Sequence, residues 1–190
     1  MKDLIQQRIQ ASIDVKQLLL QDASLLQTIE KVVAVCVAAF EADKKILFAG
    51  NGGSAADAQH LAAEFSGRFY KDRKPLFSEA LHVNTSYLTA VANDYSYNEI
   101  YARLLIAKGR PGDVFFAIST SGNSGNILRA IEVAKEQSMI VVGMSGETGG
   151  KMLSLCDYLL NMPSTDTPRI QEAHILVGHI ICEFVEAQLF

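Results

Sequence analysis

Residues 44–55, KKILFAGNGGSA, carry the clearest structural pattern in the chain. Its apolar run, 46–49, lies between two lysines and a glycine-rich turn, which is typical of a short strand buried in a parallel sheet. A helix is predicted to follow from about Ser54 to Phe65. Glycines at such a turn let backbone N–H groups approach an anion at the helix N-terminus. The stretch therefore predicts a strand–turn–helix unit with an anion site, with a turn that only lets strand and helix pack as the alternative.

The same turn also fits the dinucleotide-binding pattern G-x-G-x-x-A. That interpretation needs an acidic residue at the end of the next strand, about 20 residues on. Position 70 is Tyr70, and Asp72 ends no strand that the sequence indicates. Dinucleotide binding is therefore disfavoured. The charged run 71–74 is expected to be a solvated loop, with Arg68 a better candidate for a substrate contact.

Apolar runs and helical periodicity alternate along the rest of the chain. Further strands are predicted at about 79–83, 114–118, 139–144 and 158–160. Helices are predicted over most of 84–107, at 126–137, at about 150–155, and from Thr167-Pro168, with Thr167 as N-cap, to the end. Residues 1–43 are predicted to form two helices, the second opened by a capping box from Ser24 to Gln27. This alternation predicts an α/β fold, a three-layer sandwich with a mostly parallel sheet and additional N-terminal helices.

Ligands of such sheets bind at the carboxyl ends of the strands, near the point where the strand order reverses. There, residues 119–124 (STSGNS) place four hydroxyls in six positions after a buried strand. Short hydroxyl donors with one glycine for backbone access suit the oxygens of a phosphate monoester. The loop lacks the lysine of a nucleotide P-loop, which disfavours a triphosphate. An ordinary polar turn with a serine cap is the alternative.

Two helices carry side chains that could do acid–base or metal chemistry. His60 and Glu64 are four residues apart and therefore share a helix face. Taken alone, they are compatible with a metal site, with a base and its partner, or with an ordinary surface pair. The last helix carries Gln171, His174 and His179 in an otherwise apolar segment. His179 is predicted to be buried and hydrogen-bonded, as a core histidine or as part of a site.

Composition limits the class of protein. The chain has 190 residues, 49% hydrophobic residues and a formal charge of −4, which is globular composition. A pI of about 5.6 argues against a protein that grips nucleic-acid backbone. The longest apolar run, Val32 to Phe40, is half the length that a bilayer needs, and no signal-type core follows Met1. The widely spaced Cys36, Cys156 and Cys182 are predicted to be buried free thiols. We expect a cytoplasmic protein without nucleic-acid or membrane partners.

Taken together, these segments resemble the sugar isomerase (SIS) domain family over nearly all 190 residues. The resemblance rests on residues 50–60, Glu64, 67–68, 92–95, 118–124 and 169–172, with His174 and His179. It implies a flavodoxin-like sheet in a single SIS domain spanning 1–190, with an N-terminal helical pair (1–43) and an α/β core with a C-terminal helix (44–190).

Within this family, the chain is similar to the isomerases of seven-carbon sugar phosphates. The resemblance implies conversion of sedoheptulose 7-phosphate to D-glycero-D-manno-heptose 7-phosphate through an enediol, as the first step toward ADP- or GDP-heptose precursors. It implies Glu64 and His179 as the catalytic acid–base pair. It also implies one Zn²⁺ per subunit, with His60, Glu64, Gln171 and His179 as ligands, and a homotetramer with active sites at subunit contacts. The resemblance also implies a set of substrate-binding residues, in which the hydroxyls of Ser119, Thr120, Ser121 and Ser124 hold the phosphate. The other members of this set are Asn51, Gly52, Gly53, Glu64, Asn93, Asp94 and Gln171.

Helix geometry adds a constraint to that ligand set. Gln171 and His179 are eight residues apart, which separates them by roughly 80° and about 12 Å along one helix. One of them is therefore expected to come from a neighbouring subunit or to lie outside the metal's direct ligands. The alternative function is a catalytically silent SIS module that binds a sugar phosphate or a protein partner of the replication-initiator type. Glu64 and His179 favour the isomerase, because a silent module does not need them.

Overall fold

The computed structural model describes residues 1–190 and contains five strands and seven α-helices. The strands are β1 (Ile46–Gly50), β2 (Ser78–Ala80), β3 (Val114–Ile118), β4 (Ile140–Ser145) and β5 (Tyr158–Asn161). The helices are α1 (Lys2–Gln21), α2 (Ala23–Glu41), α3 (Gly53–Ser66), α4 (Thr85–Asp94), α5 (Ile100–Lys108), α6 (Gly125–Glu136) and α7 (Thr167–Leu189). Short 3₁₀ turns occupy Tyr97–Glu99 and Gly150–Ser154.

All strands pair in parallel in the order β2-β1-β3-β4-β5, which confirms the predicted flavodoxin-like sheet. The strand order reverses at β1, which lies beside β3 with Gly50 opposite Ile118. The loops that follow these two strands therefore lie side by side at one edge of the sheet. This is where a parallel α/β sheet places its ligand.

Alternate residues of the sheet enter two separate cores. Phe48 and Phe116 point toward α2, α3 and α7, and their rings stack with centroids 4.7 Å apart. Leu47 and Phe115 point to the opposite face, where α5 and α6 cover them. Because every residue of β1 and β3 is buried, their sequences are continuously apolar. The three-layer sandwich is thus confirmed.

Helix α2 is apolar on more than its core face. By length and composition alone it is the one helix that could cross a membrane, with a mean hydropathy of 1.6. Its buried residues, Leu25, Ile29, Val32, Val33, Cys36 and Ala39, belong to the core shared with α7.

The predicted helix ends need correction. Asp22, not Ser24, is the N-cap of α2, and its Oδ1 accepts the Leu25 N–H at 2.9 Å. The predicted capping box is wrong because α1 continues to Gln21, so a single residue joins the two helices and already supplies the cap. Likewise, Asp166 is the N-cap of α7, and Thr167, the predicted N-cap, is its first helical residue. The prediction that 84–107 is mostly helical is confirmed by α4 and α5, which a short 3₁₀ turn separates. Strand β2 is shorter than predicted.

The charged run 71–74 is only partly solvated. The Arg73 side chain is 2% exposed and pairs with Glu186 of α7, so the expectation of a fully solvated loop is wrong there. All three cysteines are free; Cys36 and Cys182 are buried, and Cys156 is half-buried. Burial raises the pKa of each of these thiols.

Candidate active site

A polar pocket of about 330 Å³ lies where β1 and β3 end. It is lined by Asn51, Gly52, Gly53, Ser54, Ile118, Ser119, Thr120, Ser124, Thr167 and Gln171. Seven of these belong to the substrate-binding set that the sequence resemblance implies. An added Cβ on Gly53 would lie 2.5 Å from the Gln171 Nε2, so a side chain there would displace the Gln171 amide. The first turn of α3 and the first turns of α7 thus meet across the pocket.

The hydroxyl-rich loop forms one wall. Ser119 Oγ and Ser124 Oγ lie 2.9 Å apart, and Ser124 is the N-cap of α6 without a side-chain bond to the helix. These hydroxyls are therefore available to an incoming acceptor at a helix N-terminus, where negative charge is stabilised. Ser121 is exposed and lines an adjoining polar pocket of about 250 Å³, which also includes Thr120 and Thr167.

Asn51 is held by partners that the sequence analysis missed. Its amide exchanges two hydrogen bonds with the buried Asn126, at 2.9 and 2.8 Å, and Tyr97 Oη donates to Asn51 Oδ1 at 3.2 Å. Asn126 follows the first residue of α6 and is 2% exposed. The sequence signal for this contact was the position of Asn126, a polar residue at the start of the apolar face of α6. Ser54 and Thr167, which line the pocket, were also not predicted.

A second group of side chains brings together His60, Glu64 and His179. His60 Nε2 lies 2.9 Å from His179 Nε2 and 3.0 Å from Glu64 Oε1. The Phe69 ring covers His179, with centroids 5.8 Å apart. His179 is half-buried rather than fully buried as predicted. Next to it, Gly178 lets α7 approach α3, because an added Cβ would lie 2.6 Å from Leu61.

The chemistry of this group fits a metal ion. Two imidazole nitrogens and one carboxylate oxygen are a known ligand set of catalytic zinc, whose fourth position stays open. Their donor atoms all lie within 4.8 Å of one another. Tetrahedral zinc, with bonds of about 2.0–2.1 Å, separates its ligand atoms by roughly 3.3 Å. The two separations from His60 Nε2, 2.9 Å to His179 and 3.0 Å to Glu64, are close to that value.

Gln171 does not join that group within one chain. It faces Gly53 in the polar pocket, whereas His179 contacts His60 further along the same helix. Asn93 and Asp94 lie exposed at the end of α4, where Asn93 Nδ2 donates to Asp94 Oδ1 at 2.9 Å, and they do not line the pocket. Arg68 is exposed just beyond α3.

Two further titratable groups lie near these elements. Asp57, one turn before His60 on α3, has a buried Oδ2 without a partner. Burial raises the pKa of Asp57 to about 6, against the opposing effect of His60. His174 is fully buried, with Nε2 3.1 Å from the Ser145 carbonyl oxygen. Burial lowers the pKa of His174 to about 4, so it is a neutral core residue.

The polar pocket and the His60–Glu64–His179 group lie along the same two helices. On α3, Gly53 and His60 are seven residues apart, or about 10 Å along the axis. On α7, Gln171 and His179 are about 12 Å apart along the axis. The polar pocket and the His60–Glu64–His179 group are therefore offset by roughly 10–12 Å along these two helices.

The fold, the site and the sequence comparisons assign the chain to one protein family. The sequence model of the SIS domain matches residues 14–146, and the chain therefore belongs to the SIS domain family. Within that family it aligns with phosphoheptose isomerases over its whole length. It is 54% identical over 190 residues to the phosphoheptose isomerase of Aneurinibacillus thermoaerophilus, which covers 100% of this chain and 96% of that protein.

Solved structures agree with that placement. The phosphoheptose isomerase of Neisseria gonorrhoeae superposes with a TM-score of 0.92 at 39% identity and covers 98% of each chain. The enzyme of Francisella tularensis superposes with a TM-score of 0.93 at 33% identity and covers 97% of each chain. These similarities place the chain in the phosphoheptose isomerase branch of the family, as the sequence resemblance predicted.

Proposed function

We propose that the protein is an aldose–ketose isomerase that converts sedoheptulose 7-phosphate to D-glycero-D-manno-heptose 7-phosphate. The observation that carries this proposal is the spacing of the two ends of the site. An extended seven-carbon chain places its phosphate roughly 10 Å from C1 at ordinary bond lengths. With its phosphate bound by Ser119, Thr120 and Ser124 in the polar pocket, a chain of that length would extend along α3 toward Glu64 and His179. Ser121, Asn51, Gly52 and Gly53 complete the proposed phosphate and sugar contacts.

The reaction moves one proton between neighbouring carbons. Glu64 takes a proton from C1 of the ketose, which leaves an enediol, and returns it to C2. His179 moves the hydroxyl proton from O1 to O2, so that the O2 carbonyl becomes a hydroxyl and O1 becomes the aldehyde oxygen. The close approach of His60 to both groups, 3.0 Å from Glu64 Oε1 and 2.9 Å from His179 Nε2, orients them toward one point.

His60, Glu64 and His179 are the residues that would hold a zinc ion, one per subunit. Zinc bound there would polarise the substrate oxygens and stabilise negative charge that develops on them. Gln171 is the fourth proposed ligand, supplied by a neighbouring subunit, or else a residue that contacts only the substrate. Its position in the polar pocket supports a contact with the substrate.

We further propose a cytoplasmic homotetramer in which each chain forms one SIS domain over 1–190. The core that joins α2 and α7 to the sheet also includes Val15 and Leu19 of α1, which supports one domain. Between α1 and α7 runs a groove of about 630 Å³ lined by exposed Leu4, Ile5 and Ile9. Subunit contacts there would cover this apolar surface close to Gln171, since Arg169 and Glu172 of the same helix line the groove. The product is proposed to enter nucleotide-activated heptose and lipopolysaccharide synthesis.

The direct test is turnover of sedoheptulose 7-phosphate by the purified protein, measured as aldose formation with added zinc, without it, and after treatment with a chelator. We expect turnover that the chelator removes and zinc restores. Turnover that is indifferent to the chelator would keep the isomerase and overturn the metal site. Failure to turn over under every condition would overturn the proposed activity and favour the silent sugar-phosphate-binding module.

A further inference from the structure

We propose that Arg73 and Glu186 are positioning residues for the group formed by His60, Glu64 and His179. Together they hold the loop 69–73, which follows α3 in the chain and packs against α7. The inference rests on the proposed function for its effect on catalysis. Neither Arg73 nor Glu186 makes a hydrogen bond to the side chain of His60, Glu64 or His179. They act through the backbone of α3, through the loop 69–73 and through Phe69.

Glu186 fixes the loop to α7. It lies seven residues, or two helical turns, after His179, so both side chains leave the same face of α7. Glu186 Oε2 accepts N–H bonds from Tyr70 and Lys71 at 2.7 and 2.8 Å, and Oε1 accepts the Phe69 N–H at 3.0 Å. The Phe69 ring, held in this way, packs on the imidazole of His179.

Arg73 fixes the same loop to the end of α3. Its Nε donates to Glu186 Oε1 at 2.9 Å, and its Nη2 donates to the backbone carbonyl of Glu64 at 2.8 Å. Its Nη1 donates to the carbonyls of Phe65 and Gly67 at 2.7 and 3.2 Å. The last carbonyls of a helix have no partner within it and carry partial negative charge, so a guanidinium fork there holds the final turn in place. That turn carries Glu64.

A small displacement of the Arg73–Glu186 pair would therefore move the last turn of α3, which carries Glu64, and the Phe69 ring that contacts His179. Arg73 and Glu186 are each 2% exposed on the side chain, so the ion pair between them is shielded from water. Loss of either partner leaves the other buried charge uncompensated, which forces the loop and helix end to rearrange. A misplacement of about 1 Å at a reacting group can reduce turnover by up to a hundredfold.

The chain offers a matched control. Asp113 is also a buried carboxylate, 1% exposed, which pairs with Lys45 and accepts the Lys45 and Arg110 N–H groups at 3.1 and 2.8 Å. It lies at the start of β3, at the opposite end of the sheet from the site. Glu186→Gln is therefore compared with Asp113→Asn, and Arg73→Met with Lys45→Met. All four changes remove one member of a buried ion pair.

The first readout needs neither metal nor substrate. The chain contains four histidines, so the ring-nitrogen NMR signals of His60, His82, His174 and His179 can be assigned individually in the full-length protein. We expect Glu186→Gln and Arg73→Met to shift the signals of His60 and His179 and to leave those of His82 and His174 in place. The two control variants should leave all four signals in place.

The second readout uses the reaction and a cobalt probe. We expect kcat to fall about tenfold or more in both site variants, with KM within twofold, because the phosphate contacts lie at the other end of the site. The visible absorption of Co²⁺ added to the metal-free protein should change in the same two variants only. All four variants should lower the melting temperature. A loss of kcat in the two site variants alone therefore reports the positioning of the acid–base group and not the loss of stability.

Unchanged His60 and His179 signals in both site variants, or equal shifts in the controls, would overturn the inference. So would a kcat that falls no further than in the controls. If the wild-type protein fails to turn over sedoheptulose 7-phosphate, the proposed function fails, while the NMR comparison still decides the positioning role. If either site variant does not fold, Arg73→Lys, with Lys45→Arg as its control, replaces it, since lysine keeps the charge and loses the fork.

Discussion

At the residue scale, the site depends on imidazole and carboxylate groups delivered by separate helices. His60 and Glu64 share a face of α3, so their contact follows from local helix geometry. His179 joins them because Gly178 has no side chain to keep α7 away from Leu61. One glycine thus permits the contact on which the proposed acid–base chemistry depends.

Replacing Glu64 by Gln should abolish turnover while the protein stays folded. The amide keeps the shape of the side chain and cannot accept the carbon-bound proton, so we expect kcat to fall at least a hundredfold. Aldose formation from sedoheptulose 7-phosphate measures the loss, and circular dichroism with thermal unfolding checks the fold. Glu136→Gln, at an exposed position of α6, is the control and should remain fully active. Activity that survives Glu64→Gln would show that another group is the base.

At the element scale, the end of a helix is set by the residue that caps it in space. Asp22→Ala should lower the free energy of unfolding by about 1 kcal/mol, because the Leu25 N–H loses its acceptor. Ser24→Ala should be neutral or slightly stabilising, since Ser24 lies inside α2 and alanine favours helix. Chemical denaturation of both variants distinguishes the two caps. A larger loss for Ser24→Ala would restore the predicted capping box.

The packing of α7 on β4 should make stability depend on pH through His174. Its pKa is about 4 in the folded state and 6.5 ordinarily, so the unfolded chain binds more protons between these values. The stabilising contribution is therefore complete above pH 6.5 and declines as the pH falls toward 4.

We expect the wild-type protein to lose roughly 2 kcal/mol more than His174→Gln between pH 7.5 and pH 5. Glutamine retains a donor for the Ser145 carbonyl oxygen but does not titrate. Urea unfolding of the metal-free proteins at both pH values gives the comparison. Parallel pH profiles for the two proteins would contradict this assignment.

At the scale of the whole molecule, apolar surface on α1 remains for another copy of the chain to cover. Ile9 is 57% exposed and lines the groove beside α7. Ile9→Glu should dissociate the proposed tetramer into smaller species and reduce turnover, because a charge there opposes burial. Sedimentation velocity measures the mass. Ile106→Glu, at an equally exposed position of α5 (56%), should leave the mass unchanged. Wild-type mass in Ile9→Glu would contradict this interface.

Local patterns in the sequence were enough to predict the strands, the turns after them and the shared helix faces. The continuous apolar runs of β1 and β3 predicted a parallel sheet, and the turns after them predicted where the pocket lies, because every parallel strand ends at the same edge. The pair His60 and Glu64 also follows from helix periodicity alone. The family was evident from the combination of these segments.

Contacts between residues far apart in the chain became apparent only from the folded structure. It placed Asn126 on Asn51, buried Arg73 against Glu186 although its loop looks solvated, and separated Gln171 from the group that includes His179. The sequence does not show whether a charged or polar side chain will make its hydrogen bonds to water or to a residue far away in the chain. Its burial depends on which helices pack together, and that packing is a property of the folded chain.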